Sequence, residues 1–158
     1  FDVGTLHMVT YITDKKYASQ ASLIDFIKSV DKDFTPPLTG RVDIDAWVNK
    51  IYNNGLFVIA VEGENYVGCL LFYANDLLTA NGYISYLAVD TKCRRLGIAG
   101  RMLSESVDIS KKAGMESMSV YTNNPGALAL YIKYGFKVKS QEFVSEYKVV
   151  STFLSKNL

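Results

Sequence analysis

The sequence predicts one α/β (α+β) domain, a mixed and mostly antiparallel sheet of about six to seven strands with about four helices packed on it. Three observations predict it. The chain has 158 residues, room for a single folding unit at roughly 100–200 residues per domain. Its hydrophobic period switches between that of a strand and that of a helix, in the order strand, two helices, three strands, helix, strand, helix, two strands. Some neighbouring strands are joined by tight turns, which demand antiparallel pairing, and others by helices, which permit parallel pairing.

Met8–Thr13 is β-branched and suits a first strand. Tyr17–Val30 places Ala21, Ile24, Phe26, Ile27 and Val30 at helical spacing, and Pro36-Pro37 breaks the chain after it. A second helix is expected over about Val42–Asn53, with Ile44, Trp47, Val48 and Ile51 on one face and Asn54-Gly55 at its end. Leu56–Glu62 and Tyr66–Ala74 read as a hairpin around Gly63-Glu64-Asn65. Tyr83–Val89 is a third strong strand. Ile98, Met102, Leu103, Val107 and Ile109 then form a helical stripe, closed by Lys111, Lys112 and Gly114. Glu116–Thr122 is a strand, and Asn124-Pro125 opens a helix that Gly135 stops. Phe136–Phe143 and Tyr147–Leu154 complete the sheet.

Composition excludes several classes of function. Hydrophobic residues make up 49% and charged residues 21%, so the chain can bury a core and is not a disordered segment. The longest apolar stretch, Val67–Ala74, is far short of the ~20 residues that span a bilayer, and no membrane partner is expected. Cys69, Cys93 and His7 are too few and too scattered for a Cys/His zinc site or a disulfide framework, so no metal is expected. A net charge of +1 argues against a general nucleic-acid binder. With no charged and apolar leader in view, the expectation is a cytoplasmic protein. Residues 1–7, ending in the His7-Met8 pair, read as a cloning remnant or flexible start ahead of a domain at 8–158.

Charge is unevenly spread. Residues 1–79 carry 6 Lys/Arg against 10 Asp/Glu, and residues 80–158 carry 11 against 6. The sharpest basic cluster is Lys92, Arg94, Arg95 and Arg101, directly after the Tyr83–Val89 strand. There Gly97, Ala99 and Gly100 open a helix whose first N–H groups have no intrahelical partner and carry partial positive charge. A phosphate can approach such a backbone closely. Neither G-x-G-x-x-G nor G-x-x-x-x-G-K-[ST] occurs in the chain, which disfavours the common nucleotide loops.

Arg94-Arg95-Leu96-Gly97-Ile98-Ala99, following Leu87-Ala88-Val89-Asp90, resembles the [QR]-x-x-G-x-[GA] signature of the GNAT superfamily of acyl-coenzyme A-dependent N-acyltransferases. Asn124-x-x-Ala127-x-x-Leu130-Tyr131-x-x-x-Gly135-Phe136 resembles that family's second segment, 25 residues on from Ala99 to Asn124. The resemblance covers Tyr83–Phe136 and implies the rest of the reading. The family fold has a V-shaped splay between two central parallel strands, here Tyr83–Val89 and Glu116–Thr122. The co-substrate is acetyl-coenzyme A. Its pyrophosphate lies on the main chain of Arg95, Leu96, Gly97, Ile98, Ala99 and Gly100, with Arg94 as the leading basic position. Its pantetheine arm pairs with the strand Leu87, Ala88, Val89 and meets Asn124. Tyr131 contributes to the cofactor site and is the catalytic general acid, since a phenol with a pKa of about 10 stays protonated at neutral pH.

The resemblance implies acetyl transfer to a primary amine, of a small molecule or a peptide, by direct attack in a ternary complex. A non-catalytic acyl-coenzyme A sensor is the alternative. Its support is a departure from the family: the strand that often bears a glutamate base carries Tyr83, Ser85 and Tyr86 instead. The amine's proton then leaves through ordered water held by backbone carbonyls and hydroxyls such as Ser85, or a carboxylate that the fold brings close, Glu62, Glu64 or Asp76, serves as the base. For the acceptor, Phe34, Trp47 and Tyr52 among Asp31, Asp33, Asp43 and Asp45 form an acidic, aromatic rim suited to a cationic amine. A homodimer is left open.

Overall fold

The computed structural model describes residues 8–94 and 96–158; the expectations for residues 1–7 and for Arg95 lie outside them. Seven strands form one sheet in the order β1-β2-β3-β4-β5-β7-β6. They are β1 (Val9–Ile12), β2 (Leu56–Glu62), β3 (Asn65–Tyr73), β4 (Asn81–Val89), β5 (Ser117–Thr122), β6 (Lys137–Val144) and β7 (Val149–Asn157). Among these, β4 and β5 are the parallel pair, and the other neighbours are antiparallel. The predicted mixed sheet, its four helices and its central parallel pair are all present.

Alternation along the strands divides the core into two layers. On β2, Phe57, Ile59 and Val61 join the layer under α1 (Gln20–Val30) and α2 (Ile44–Asn54), whereas Val58 and Ala60 face the opposite layer. That layer is closed by α3 (Ile98–Lys112) and α4 (Pro125–Lys133). Leu23, Ile27 and Val48 below, and Met102, Leu103 and Met118 above, are fully shielded. Each such side chain contributes about 1.5–3 kcal/mol by leaving water.

Several boundaries differ from the sequence reading, each for a local reason. The first helix begins at Gln20 rather than Tyr17, because the Ser19 hydroxyl accepts the Ser22 N–H and caps it there. Its buried stripe is Leu23, Phe26, Ile27 and Val30; Ala21 lies in solvent. The second helix begins at Ile44, behind Asp43, whose carboxylate accepts the Ala46 N–H. β4 starts two residues before Tyr83, because Asn81 and Gly82 pair with Ser117 and Met118.

Candidate active site

The site opens where β4 and β5 part. They pair only from Asn81–Ile84 against Ser117–Val120, while β4 stays on β3 as far as Val89 and β5 stays on β7 as far as Thr122. A bulge sits at the parting: Phe72 is opposite Ile84 and Leu71 opposite Tyr86, leaving Ser85 as the extra residue. A bulge bends its strand and reverses which face later side chains occupy. Accordingly Ile84 packs on the α3 side, Tyr86 and Ala88 pack on the α1/α2 side, and Leu87 and Val89 return to the α3 side.

The resulting cleft has a volume of about 1130 Å³. Main-chain polarity along its β4 wall follows from one hydrogen bond. The Asp90 N–H donates to the Val67 carbonyl at 2.8 Å. In a planar trans peptide the Val89 carbonyl then points the opposite way, away from β3 and into the opening. Leu87, two residues earlier, shares that orientation. β4 thus offers the cleft an unpaired edge.

At one end of this edge stands the start of α3. Gly97 has φ +78° and ψ 9°, a left-handed conformation that disfavours side chains. A Cβ built there meets nothing within 4 Å, so the space beside it is open. Among the described residues no side chain caps this helix, and its first-turn N–H groups face the same end of the cleft. Ile98, Ala99 and Gly100 line the cleft with Gly97, although the Ile98 side chain is buried in the core. Leu96 does not line it; its side chain is 67% exposed.

The basic cluster divides. Arg94 reaches over the cleft, its Nε donating to the Val89 carbonyl at 3.4 Å and its Nη2 lying 3.7 Å from Asp33. Arg101 turns elsewhere: it pairs with Glu105 at 3.1 Å and stacks over the Tyr11 ring at 4.8 Å. Cys93 lines the cleft, but its thiol is pushed up, first by burial and then by Glu62 and Asp90. Cys69 is sealed in the core, where burial raises its thiol further. Neither thiol is suited to carry an acyl group.

The β5 side is built by the start of α4. Asn124 caps that helix, its Oδ1 accepting the Ala127 N–H at 3.0 Å, with Pro125 in the first turn. Its Nδ2 is not used by the cap, and the residue lines the cleft. Tyr131 lies two turns on, 2% exposed yet lining the cleft. Burial, and then the nearby Tyr83 phenol, raises its hydroxyl above the ordinary range. The structure thus gathers Leu87, Ala88, Val89, Arg94, Gly97, Ile98, Ala99, Gly100, Asn124 and Tyr131 around one cleft.

Of the candidates for removing the amine's proton, Ser85 lines the cleft and none of the three carboxylates does. Among the described residues Asp33 is the one carboxylate on the cleft wall, and Glu62, Glu64 and Asp76 are absent from it. Asp76 instead holds its own turn, accepting the Leu78 and Thr79 N–H groups. The acidic rim also disperses: Asp31 accepts the Leu38 and Thr39 N–H groups, Asp43 caps α2 and Asp45 pairs with Lys28 at 2.8 Å. Trp47 and Tyr52 are packing residues, set edge-on to Tyr86 and stacked on Phe57. Two features have no sequence signal. Asn123 Nδ2 donates to the Thr35 carbonyl at 2.7 Å, 88 positions away, and Tyr134 packs its ring against Gly100.

Residues 24–136 match the model of the acetyltransferase (GNAT) family. The chain belongs to that family. It is 27% identical over 128 residues to N-alpha-acetyltransferase 30 of Xenopus laevis, covering 77% of this chain and 45% of that protein. The chain thus spans under half the length of this relative. Two solved structures share the fold. The NatC complex bound to Gag peptide and CoA has a chain with a TM-score of 0.76 and 21% identity, the match covering 95% of this chain and 98% of that one. A GNAT family acetyltransferase from Elizabethkingia anophelis with acetyl-CoA bound gives a TM-score of 0.65 at 18% identity over 95% and 98%.

Proposed function

We propose that this GNAT domain transfers an acetyl group from acetyl-coenzyme A to the α-amine of a peptide by direct attack in a ternary complex. The observation that carries the reading is the parting of β4 from β5 after Ile84 and Val120, which leaves an open strand edge beside an uncapped helix start. An extended amide chain ending in a diphosphate complements that pair of features. The peptide acceptor is supported by the name of the Xenopus laevis relative and by the peptide and CoA in the NatC complex.

Each element has a share in the work. The main chain of Leu87 and Val89 pairs with the pantetheine amides, and Asn124 Nδ2 holds the arm from the opposite wall. The N–H groups from Gly97 to Gly100 take the diphosphate, together with Arg94 once it leaves Val89. Leu96 and Arg95 contribute main chain only to this reading. Acetyl-coenzyme A supplies the electrophilic thioester carbonyl and the thiol leaving group. After the ammonium has released one proton to water, the neutral amine nitrogen forms the new C–N bond as the C–S bond breaks. Tyr131 returns a proton to the departing sulfur and is then reprotonated from the surplus proton of the acceptor amine through water.

The test is incubation with acetyl-coenzyme A and a library of peptides with free α-amines, read by thiol release and by fragment mass spectra that place the acetyl group. Acetylation at the peptide N-terminus is expected. Tight coenzyme A binding with no thiol release on any peptide would instead identify a sensor, and acetylation confined to lysine side chains would move the acceptor class.

A further inference from the structure

Of the four acidic residues flanking the aromatic cluster, three are committed to local structure, as described above. The fourth is different. Asp33 lines the cleft as its one carboxylate among the described residues, and its partner is Arg94 at 3.7 Å. Arg94 also donates to the Val89 carbonyl, on the strand edge assigned to the pantetheine arm. A single guanidinium therefore covers both a carboxylate and a cofactor-pairing carbonyl. Next to Asp33, Phe34 stacks on Tyr86 at 5.0 Å, and Trp47 meets the same ring edge-on. The Tyr86 hydroxyl is buried without a hydrogen-bond partner among the described residues, and Tyr86 lines the cleft at 7% exposure. A buried polar group left unpaired marks a place where a partner is missing.

We propose that Asp33 is the carboxylate that receives the charged amine end of the acceptor, and that Arg94 covers it until the coenzyme A diphosphate draws the guanidinium away. The inference rests on the acetyl-transfer reading and names how its acceptor is selected. In the free protein Asp33 and the diphosphate compete for one cation. Cofactor binding therefore exposes a negative charge on the cleft wall, next to the aromatic cluster of Phe34, Tyr86 and Trp47, which suits a cation. Arg41 and Lys133, the other described cations on the cleft wall, repel a charged amine, so any preference for one depends on Asp33. Linkage makes the coupling reciprocal: what frees Arg94 tightens the cofactor, and what binds the cofactor favours the amine.

The test measures coenzyme A binding by titration calorimetry, and then binding of an uncharged-side-chain tetrapeptide and its des-amino analogue to the coenzyme A-loaded protein. Asp33→Asn is expected to bind coenzyme A about two- to fivefold more tightly, the scale of a half-exposed ion pair. It is also expected to lose the preference for the amine peptide and to raise its KM about five- to tenfold, with kcat much less affected. Asp33→Glu should restore the preference. Arg94→Gln guards against a folding artefact: it should bind the amine peptide without coenzyme A, where the unaltered protein does not. Unchanged or weaker coenzyme A binding by Asp33→Asn, or a surviving preference for the amine peptide, overturns the inference. Because the coenzyme A and peptide titrations read binding alone, absence of acetyl transfer would defeat the proposed reaction while those titrations still decide the role of Asp33.

Discussion

Gly100, in the first turn of α3, and Tyr134, just after α4, are in contact: a methyl group built on Gly100 would overlap the Tyr134 phenol oxygen and approach its Cζ to 2.7 Å. This glycine therefore makes room for a ring as well as for the first turn of the helix. Helix propensity alone favours Gly100→Ala by up to about 1 kcal/mol, whereas crowding a packed ring costs about 1–3 kcal/mol. We expect the crowding to win, lowering the urea midpoint without changing the slope. Tyr134→Ala in the same chain should turn the effect of Gly100→Ala neutral or favourable. A stabilised single variant would show that the ring swings aside freely.

Gly97 makes the opposite case. Its neighbourhood is open, so Gly97→Ala should cost only the left-handed backbone, about 1–2 kcal/mol. The added methyl group points into the space assigned to the diphosphate. Coenzyme A affinity should fall by more than tenfold while the protein stays folded, as calorimetry on the purified variant would reveal. Equal affinity in the two proteins would place the diphosphate elsewhere.

Asn124 has two duties that different substitutions separate. Asn124→Ala removes the α4 cap and should cost about 1 kcal/mol as well as weaken coenzyme A. Asn124→Asp keeps a capping oxygen at a helix N-terminus, where negative charge is favoured, but loses the Nδ2 donor. Its denaturation midpoint should match that of the original chain while its cofactor binding weakens. If coenzyme A binding follows the cap alone, the amide nitrogen has no part in holding the cofactor.

The parts of this molecule that were legible in the sequence are those fixed by short-range chemistry. Asn124-Pro125 marks a helix start because side chain and ring each act on the adjacent turn. The Gly97 loop is visible because a left-handed residue before a helix favours glycine. What the sequence concealed was set by distant partners. Asp31, Asp33, Asp43 and Asp45 read as one acidic rim, yet each charge goes to whichever donor the fold brings near, and only Asp33 reaches the cleft. The bulge at Ser85, which turns Tyr86 under the α1/α2 layer, depends on register against β3. Arg94 matched its motif by position, but its contacts with Asp33 and Val89 are properties of the folded chain.

Asp31 predicts an acid-sensitive segment between α1 and α2. Burial pushes its carboxyl pKa up, but the Leu38 and Thr39 N–H groups and the Thr39 hydroxyl outweigh that, with Arg41 adding to them, and hold it below the ordinary value. A depressed carboxylate contributes stability that is present above about pH 4 and lost as pH falls through its folded value. Urea denaturation should therefore show stability declining below pH 4. Asp31→Asn should cost about 1–3 kcal/mol at neutral pH by leaving buried N–H groups poorly paired, and should flatten the acid decline. An undiminished decline in Asp31→Asn would assign it to other carboxylates.

Tyr131 makes the sharpest prediction about the reaction. Its hydroxyl is raised, first by burial and then by the Tyr83 phenol, so the protonated form persists above the ordinary value of about 10. Such a phenol is a weaker acid than a thiol in water, at about 8.5. It can protonate the departing sulfur favourably only if that thiolate is also stripped of water, as contact with the buried Tyr131 hydroxyl requires. Tyr131→Phe should therefore lower kcat by about 10²–10⁴-fold, with coenzyme A affinity changed by less than about threefold, because the ring and its packing against Phe136 remain. For the unaltered enzyme, ionisation of this phenol should not depress kcat until the pH exceeds 10. Equal kcat in the two proteins would remove the proton-donor role from Tyr131, and a fall in kcat beginning near pH 8 would mean that another group governs the alkaline limb.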